Sequence, residues 1–284
     1  MKKILLTVIL VFLAAVVVSA QNREYFARPV TSSYTVGVGS SHIADTYLSQ
    51  IKYNGWSTSL RYDRWQAMKV DPLSWVMNLS LGVDVERAVN NVGNSAIWYA
   101  GINASWSPMR SWYVAKGLKL GVGPVVNLDL GCLYLNRNSN NPASAKAAFT
   151  VGATGFVAYN VSIGRLPVTF LWQPSLPVAG AFFSPEYGEL YYEIYLGNHS
   201  GLAHFAWWGN YFSLNNTVTA DLHFGATALK IGYRGGILST KANHIVSNHF
   251  THQFIFGISG EWLSINPRKA PSPRAKLYHA LYEY

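Results

Sequence analysis

Along most of the chain, apolar side chains fall on every second position. Trp56, Thr58, Leu60 and Tyr62 alternate with Ser57, Ser59, Arg61 and Asp63. Trp75, Met77, Leu79, Leu81, Val83 and Val85 alternate with Asn78, Ser80, Gly82, Asp84 and Glu86. The longest run, Leu118 to Tyr134, keeps its even positions apolar and carries Lys119, Gly121, Gly123, Asn127, Asp129 and Gly131 on the odd ones. Successive side chains of an extended strand point to opposite faces, so this period of two predicts strands with one oily face. With weaker segments near 33–39, 167–173, 190–196 and 203–212 the count is about twelve.

The charges sharpen this pattern. In the clearest strands Arg61, Asp63, Asp84, Glu86, Lys119, Asp129, Asp221, Lys230, Arg234 and Glu261 all fall on the polar face. An Arg or Lys facing lipid at mid-bilayer costs about 2–4 kcal/mol, so a sheet in hydrocarbon must turn such residues inward. Backbone groups also need internal partners there, so the sheet must close. The alternation predicts an all-β fold: a transmembrane antiparallel β-barrel of about twelve strands, with long loops alternating with shorter turns. Three features oppose a soluble barrel with the oily face inside. Apolar runs are long enough for a tilted span, glycine is frequent on the polar face, and Trp and Tyr gather near strand ends. The ten charged residues are therefore expected to line the lumen, pairing across a plugged or narrow interior rather than an open pore.

The first twenty residues read differently. Lys2 and Lys3, the apolar run Ile4–Val18 and the small residues Val18-Ser19-Ala20 have the layout of a cleaved signal peptide. The predicted organisation is a leader over 1–20, a periplasmic segment over 21–32, a barrel over 33–264 and a periplasmic tail over 265–284. Both termini then lie in the periplasm of a Gram-negative cell. After the leader, 20 basic residues face 13 acidic ones, leaving +7. The basic residues are dispersed apart from Arg268, Lys269, Arg274 and Lys276, which argues against a nucleic-acid partner. One cysteine, Cys132, excludes an internal disulfide framework.

"DTYLS" (Asp45–Ser49) ahead of Tyr53 and Gly55, "YGELYYE" (Tyr187–Glu193), Gly197-Asn198 and "LKIGYR" (Leu229–Arg234) resemble a Bacteroidetes family. Its members are secreted chains of this length that carry a domain of unknown function and resemble small outer-membrane β-barrels. The resemblance implies fold and location, and no catalytic residues.

Candidate chemistry is sparse. Ser40 with His42, near Asp45, and Ser247 with His249, near Asn248, have the same-face spacing that a serine and its base need. Both pairs fall in predicted loop tips, with Ser before His. His244, His249 and His252 lie close in sequence, without nearby carboxylates to complete a metal site. The expectation is no catalytic set, no metal and no cofactor. The expected partners are outer-membrane lipid, the barrel-assembly machinery and a small solute or surface ligand. The tail "AKLYHALYEY" reads as a short helix, a lumenal plug, a docking segment or disorder. The function class expected is a non-enzymatic pore, surface-binding or envelope protein; the alternative is a membrane-embedded lipid hydrolase or lipid A-modifying enzyme.

Overall fold

Alternating strands that expose one oily face leave their neighbours little choice but to pair edge to edge until the sheet closes. In the computed structural model, which describes residues 26–139, 141–263 and 276–282, they do so. The strands are β1 (Phe26–Ala27), β2 (Val30–Asp45), β3 (Tyr53–Ala67), β4 (Trp75–Asn90), β5 (Ala96–Ala115), β6 (Leu118–Leu135), β7 (Ala143–Ile163) and β8 (Leu166–Phe183). A single helical turn, α1 (Tyr191–Tyr195), precedes β9 (Ala203–Trp207), β10 (Tyr211–Phe224), β11 (Thr227–Ala242), β12 (Ile245–Trp262) and β13 (Lys276–Leu277). Strands β2 to β8 and β10 to β12 pair in antiparallel order, and β8 meets β10 to close a ten-stranded barrel. β9 adds an eleventh strand on β8, through Ala179↔Trp207 to Phe183↔Ala203. The predicted leader, the adjoining residues 21–25 and most of the tail (264–275, with Arg268, Lys269 and Arg274) lie outside the described residues.

The oily rows look outward. Leu60 is 61% exposed, and Tyr34, Val38, Ile102, Val122, Phe149, Phe254 and Ile258 are exposed beside it. Cys132 belongs to the same outer row of β6. On β4 the row runs from Trp75 to Val85, about 34 Å of strand at ~3.4 Å per residue. At a tilt of about 40° this stands roughly 25 Å tall, the height of a lipid-facing belt. Among the described residues no helix is long and apolar enough to cross a membrane; the strands do the crossing.

At one end the strands turn at 68–74, 116–117, 164–165 and 225–226, and β1 and β13 lie parallel there. The other end carries residues 46–52, 91–95, 136–142, 184–202 and 243–244. Several predicted loops are shorter than expected because strands extend into them. Ser40 and His42 belong to β2, Pro174 and Pro177 to β8, and Ser247 and His249 to β12. Above the belt the outer face carries Ser40, His42, Asn54, Arg87 and His252, so both faces are polar and the period disappears from the sequence. The segment expected as a strand over 190–196 is instead α1, where the Glu193 carboxylate accepts from the Leu190 N–H at 2.9 Å.

Candidate lumenal site

The inward face is layered along the barrel axis. At the turn end the tail folds back into the mouth. Ala280, Leu281 and Tyr282 are buried against Trp65, Val76, Met109, Phe156, Ala158 and Leu171. These strand residues point inward because they share the face of Asp63, Asn78, Ser107, Thr154 and Gln173, each two residues away in the strand. Polar groups fix the backbone of the segment. Lys119 Nζ donates to the carbonyls of Ala280 at 2.9 Å and His279 at 3.3 Å, and Asn160 Nδ2 donates to that of Leu281 at 3.1 Å. Tyr282 donates its hydroxyl to Asp221 Oδ2 at 2.7 Å, with Ser259 Oγ 3.0 Å away and the His223 ring edge-on at 4.5 Å. Lys230 Nζ lies 2.7 and 2.9 Å from the two oxygens of Asp221. This pair is written into the register, which sets Asp221 opposite Lys230. His279 Nδ1 reaches Glu261 Oε2 at 2.8 Å.

Above this plug lies a cavity of about 250 Å³ whose wall mixes charged and apolar side chains. Arg61, Asp63, Asp84, Glu86, Asp129, Lys230 and Arg234 line it, together with Tyr99, Asn103, Ser247 and His249. Its wall continues toward the loop end as far as Phe183, Ser184 and Ile245. Arg61 donates to Asn103 Oδ1 at 2.5 Å, Asn103 Nδ2 donates to Asp84 Oδ2 at 2.5 Å, and Arg61 and Asp84 are 3.5 Å apart. The ring of Tyr99 occupies the space that a Cβ at Gly101 or Gly131 would need. Glycine on the inner face therefore makes room for bulky inward neighbours.

At the loop end two apolar groups narrow the interior: Ile43, Leu48, Tyr53, Ile97, Leu133 and Leu135 on one side, and Phe182, Ala206 and Tyr211 on the other. The 184–202 segment is stapled across them. Tyr47 donates to the Glu189 carbonyl at 2.6 Å, and the Ala145 N–H donates to the Tyr191 hydroxyl at 2.6 Å. Burial pushes both phenols above their ordinary range, which keeps the staples neutral.

Of the ten predicted lumenal charges, seven line the cavity. Asp221, Lys119 and Glu261 surround the plug, with Lys230 bridging the two groups. The serine and histidine candidates separate. Ser40 and His42 lie on the outer face, where His42 Nδ1 meets Asn54 Oδ1 at 2.7 Å. Ser247 and His249 lie inside with different partners. Ser247 donates to Asp45 Oδ2 at 2.7 Å, an oxygen that also takes Lys146 Nζ at 2.5 Å. His249 Nε2 is 2.7 Å from Glu86 Oε2, which also accepts from Ser41. His252 points outward to the Tyr233 hydroxyl, and His244 sits in the 243–244 turn. Among the described residues no three His, Cys, Asp or Glu side chains come together as a metal site.

Sequence reasoning missed Ser41, Asp45 and Lys146 as interior groups, and the Tyr47 and Tyr191 staples. For Ser41 a signal was present: it shares the inner face of Ser33, Thr35, Gly37 and Gly39.

The profile of a family described as "Protein of unknown function (DUF3316)" matches residues 4–269. No curated protein matches the chain. Among solved structures, the chain is similar to the outer membrane protease OmpT from Escherichia coli, at 6% identity and TM-score 0.48, covering 86% of this chain and 100% of that one. It is also similar to the translocator domain of autotransporter NalP from Neisseria meningitidis (9%, TM-score 0.40, 88% and 92%). The transport unit of the autotransporter AIDA-I from Escherichia coli matches at 8%, TM-score 0.36, over 86% and 92%.

Proposed function

Because the chain belongs to the DUF3316 family of proteins of unknown function, whose description supplies no activity, we propose a function from the lumen itself: a conduit for small polar solutes, closed at rest by its own tail. The outward apolar belt and inward charges support a place in the outer membrane, reached through a cleaved leader. The turn end, where β1 and β13 meet, then faces the periplasm. Outer-membrane lipid and the barrel-assembly machinery are the partners this reading carries. One observation carries the function: Ala280–Tyr282 fills the mouth of a barrel whose middle is a cavity with charged side chains in its wall.

A membrane-embedded hydrolase fits the same interior less well. A serine nucleophile needs a base facing its hydroxyl. Here Ser41 and His249 meet on one oxygen of Glu86, so the carboxylate stands between them, and Ser247 is committed to Asp45.

Planar-bilayer recordings test the conduit. The full chain is expected to be silent or to flicker rarely, and a form ending before Lys276 to conduct steadily. Heat-modifiable migration on gels confirms that the shortened barrel is folded. A folded, shortened barrel that stays silent would overturn the reading.

A further inference from the structure

Two arginines meet beside the turn end of β3 with no counter-charge. Arg64 follows Tyr62 on the outward row of β3, and Arg28 lies between β1 and β2. Gln66 ties them together: its Oε1 accepts from Arg64 Nη2 at 3.0 Å, and its Nε2 donates to the Arg28 carbonyl at 3.1 Å. Arg28 Nη1 donates to the carbonyl of Ala67 at 2.8 Å. Burial first, and then the charge of Arg64, hold the Arg28 guanidinium below its usual range, so the two cations feel each other. Arg64 Nε is closed off from solvent and has no hydrogen-bond partner among the described residues. None of the ion pairs among those residues includes either guanidinium.

The wall next to Arg64 is hollow. A groove of about 530 Å³ opens on its lipid-facing side. It follows one cross-strand row, Tyr34–Tyr62–Leu81–Ala104–Leu128. Ala104, the smallest member of that row, sits between the two leucines. The rings of Tyr34 and Tyr62, with centroids 5.1 Å apart, stand at the end nearer Arg64. Tyr62 is two residues from Arg64, about 7 Å at ~3.4 Å per residue. That is about the reach from the phosphate of a glycerophospholipid, across its glycerol, to the start of an acyl chain.

Each half of this arrangement narrows the occupant. A water-borne anion would satisfy the arginines and leave the groove unfilled. An apolar guest, or the wall of a second barrel, would fill the groove and leave Arg64 Nε unmet. A lipid with an anionic headgroup answers both. The planar guanidinium fork matches phosphate oxygens, and basic pockets at a membrane surface hold phospholipid headgroups. Close packing, rather than expulsion of water, holds the chain, because its alternative is other lipid.

We propose that Arg28, Arg64 and the adjoining groove form a binding site for one anionic glycerophospholipid of the periplasm-facing leaflet. Its phosphate sits on the two guanidinium groups, and one acyl chain lies along Tyr62, Leu81 and Ala104. The inference takes from the proposed function only the membrane placement and the periplasmic position of the turn end; it does not depend on the conduit.

The full chain is purified in detergent micelles holding equal mole fractions of dioleoyl phosphatidylglycerol and dioleoyl phosphatidylcholine. Native mass spectrometry then counts the lipids that stay bound when the micelle is stripped away. One phosphatidylglycerol per barrel is expected, retained at least tenfold in preference to phosphatidylcholine. Arg64→Gln is expected to lower that preference at least fivefold. Ala104→Phe, which fills the groove and keeps both arginines, is expected to lower the retention of either lipid by a similar factor. Arg87→Gln, at the opposite end of the belt, is expected to change neither. Heat-modifiable migration checks each variant, and Arg28→Gln carries the headgroup test if Arg64→Gln fails to fold. Glycerol 3-phosphate, the headgroup chemistry without chains, is expected not to displace the lipid. Equal retention of the two lipids, displacement by glycerol 3-phosphate, a second copy of the chain bound in place of lipid, or wild-type preference in the folded arginine variants would each overturn the proposal. A heat-modifiable barrel that retains no lipid removes the site alone; a chain that stays dissolved without detergent removes the membrane placement with it.

Discussion

Asp221 shows how much one interior side chain holds. It takes the ammonium of Lys230 and the hydroxyl of Tyr282, joining the wall to the plug, and both Asp221 and Lys230 are buried. Removing one member of a buried ion pair leaves its partner uncompensated at a cost of about 3–5 kcal/mol, whereas replacing both with apolar groups of similar size costs much less. Asp221→Asn is therefore expected to lower the denaturant midpoint of the barrel in vesicles by the equivalent of about 3 kcal/mol or more. The double change Asp221→Leu with Lys230→Met is expected to recover most of that loss. An unchanged midpoint in Asp221→Asn would show that the pair carries no strain when broken. The pairing itself was legible: Asp221 and Lys230 fall on the polar faces of adjacent strands in the sequence. The part played by Tyr282 was not, because a tyrosine in a tail carries no periodic signal.

At the scale of elements, the hairpin between β11 and β12 turns on Asn243 and His244 alone, with φ of 50° and 62°. Two-residue hairpins prefer this left-handed geometry, which Asn tolerates and an ordinary side chain resists by about 1–2 kcal/mol per residue. His244→Gly is expected to stabilise the barrel by roughly 1 kcal/mol in the same titration, and His244→Val to destabilise it. The turn explains a limit of sequence reading. Residues 238–250 look like a long polar loop because, above the belt, neither strand face touches hydrocarbon. Alternation reports the solvent on the two sides of a strand, and it falls silent where both sides are wet. The opposite error occurs at 190–196. Leu190, Tyr192, Ile194 and Leu196 alternate as a strand would, but β9 already occupies the β8 edge and the segment closes into α1.

For the whole molecule, the orientation of the faces and the antiparallel closure follow from the alternation, and the layered interior does not. The plug is held largely through backbone carbonyls of His279, Ala280 and Leu281, acceptors that every residue type presents, so their choice by Lys119 and Asn160 leaves no mark on composition. The outer row of β6 adds a practical handle. Cys132, the chain's single thiol, stands there between Leu130 and Tyr134. A fluorophore attached to it samples the surroundings of the wall without any engineered site. In reconstituted vesicles its emission is expected to be quenched by a bromine-labelled acyl chain and spared by aqueous iodide. The native protein thus carries its own depth gauge for the bilayer.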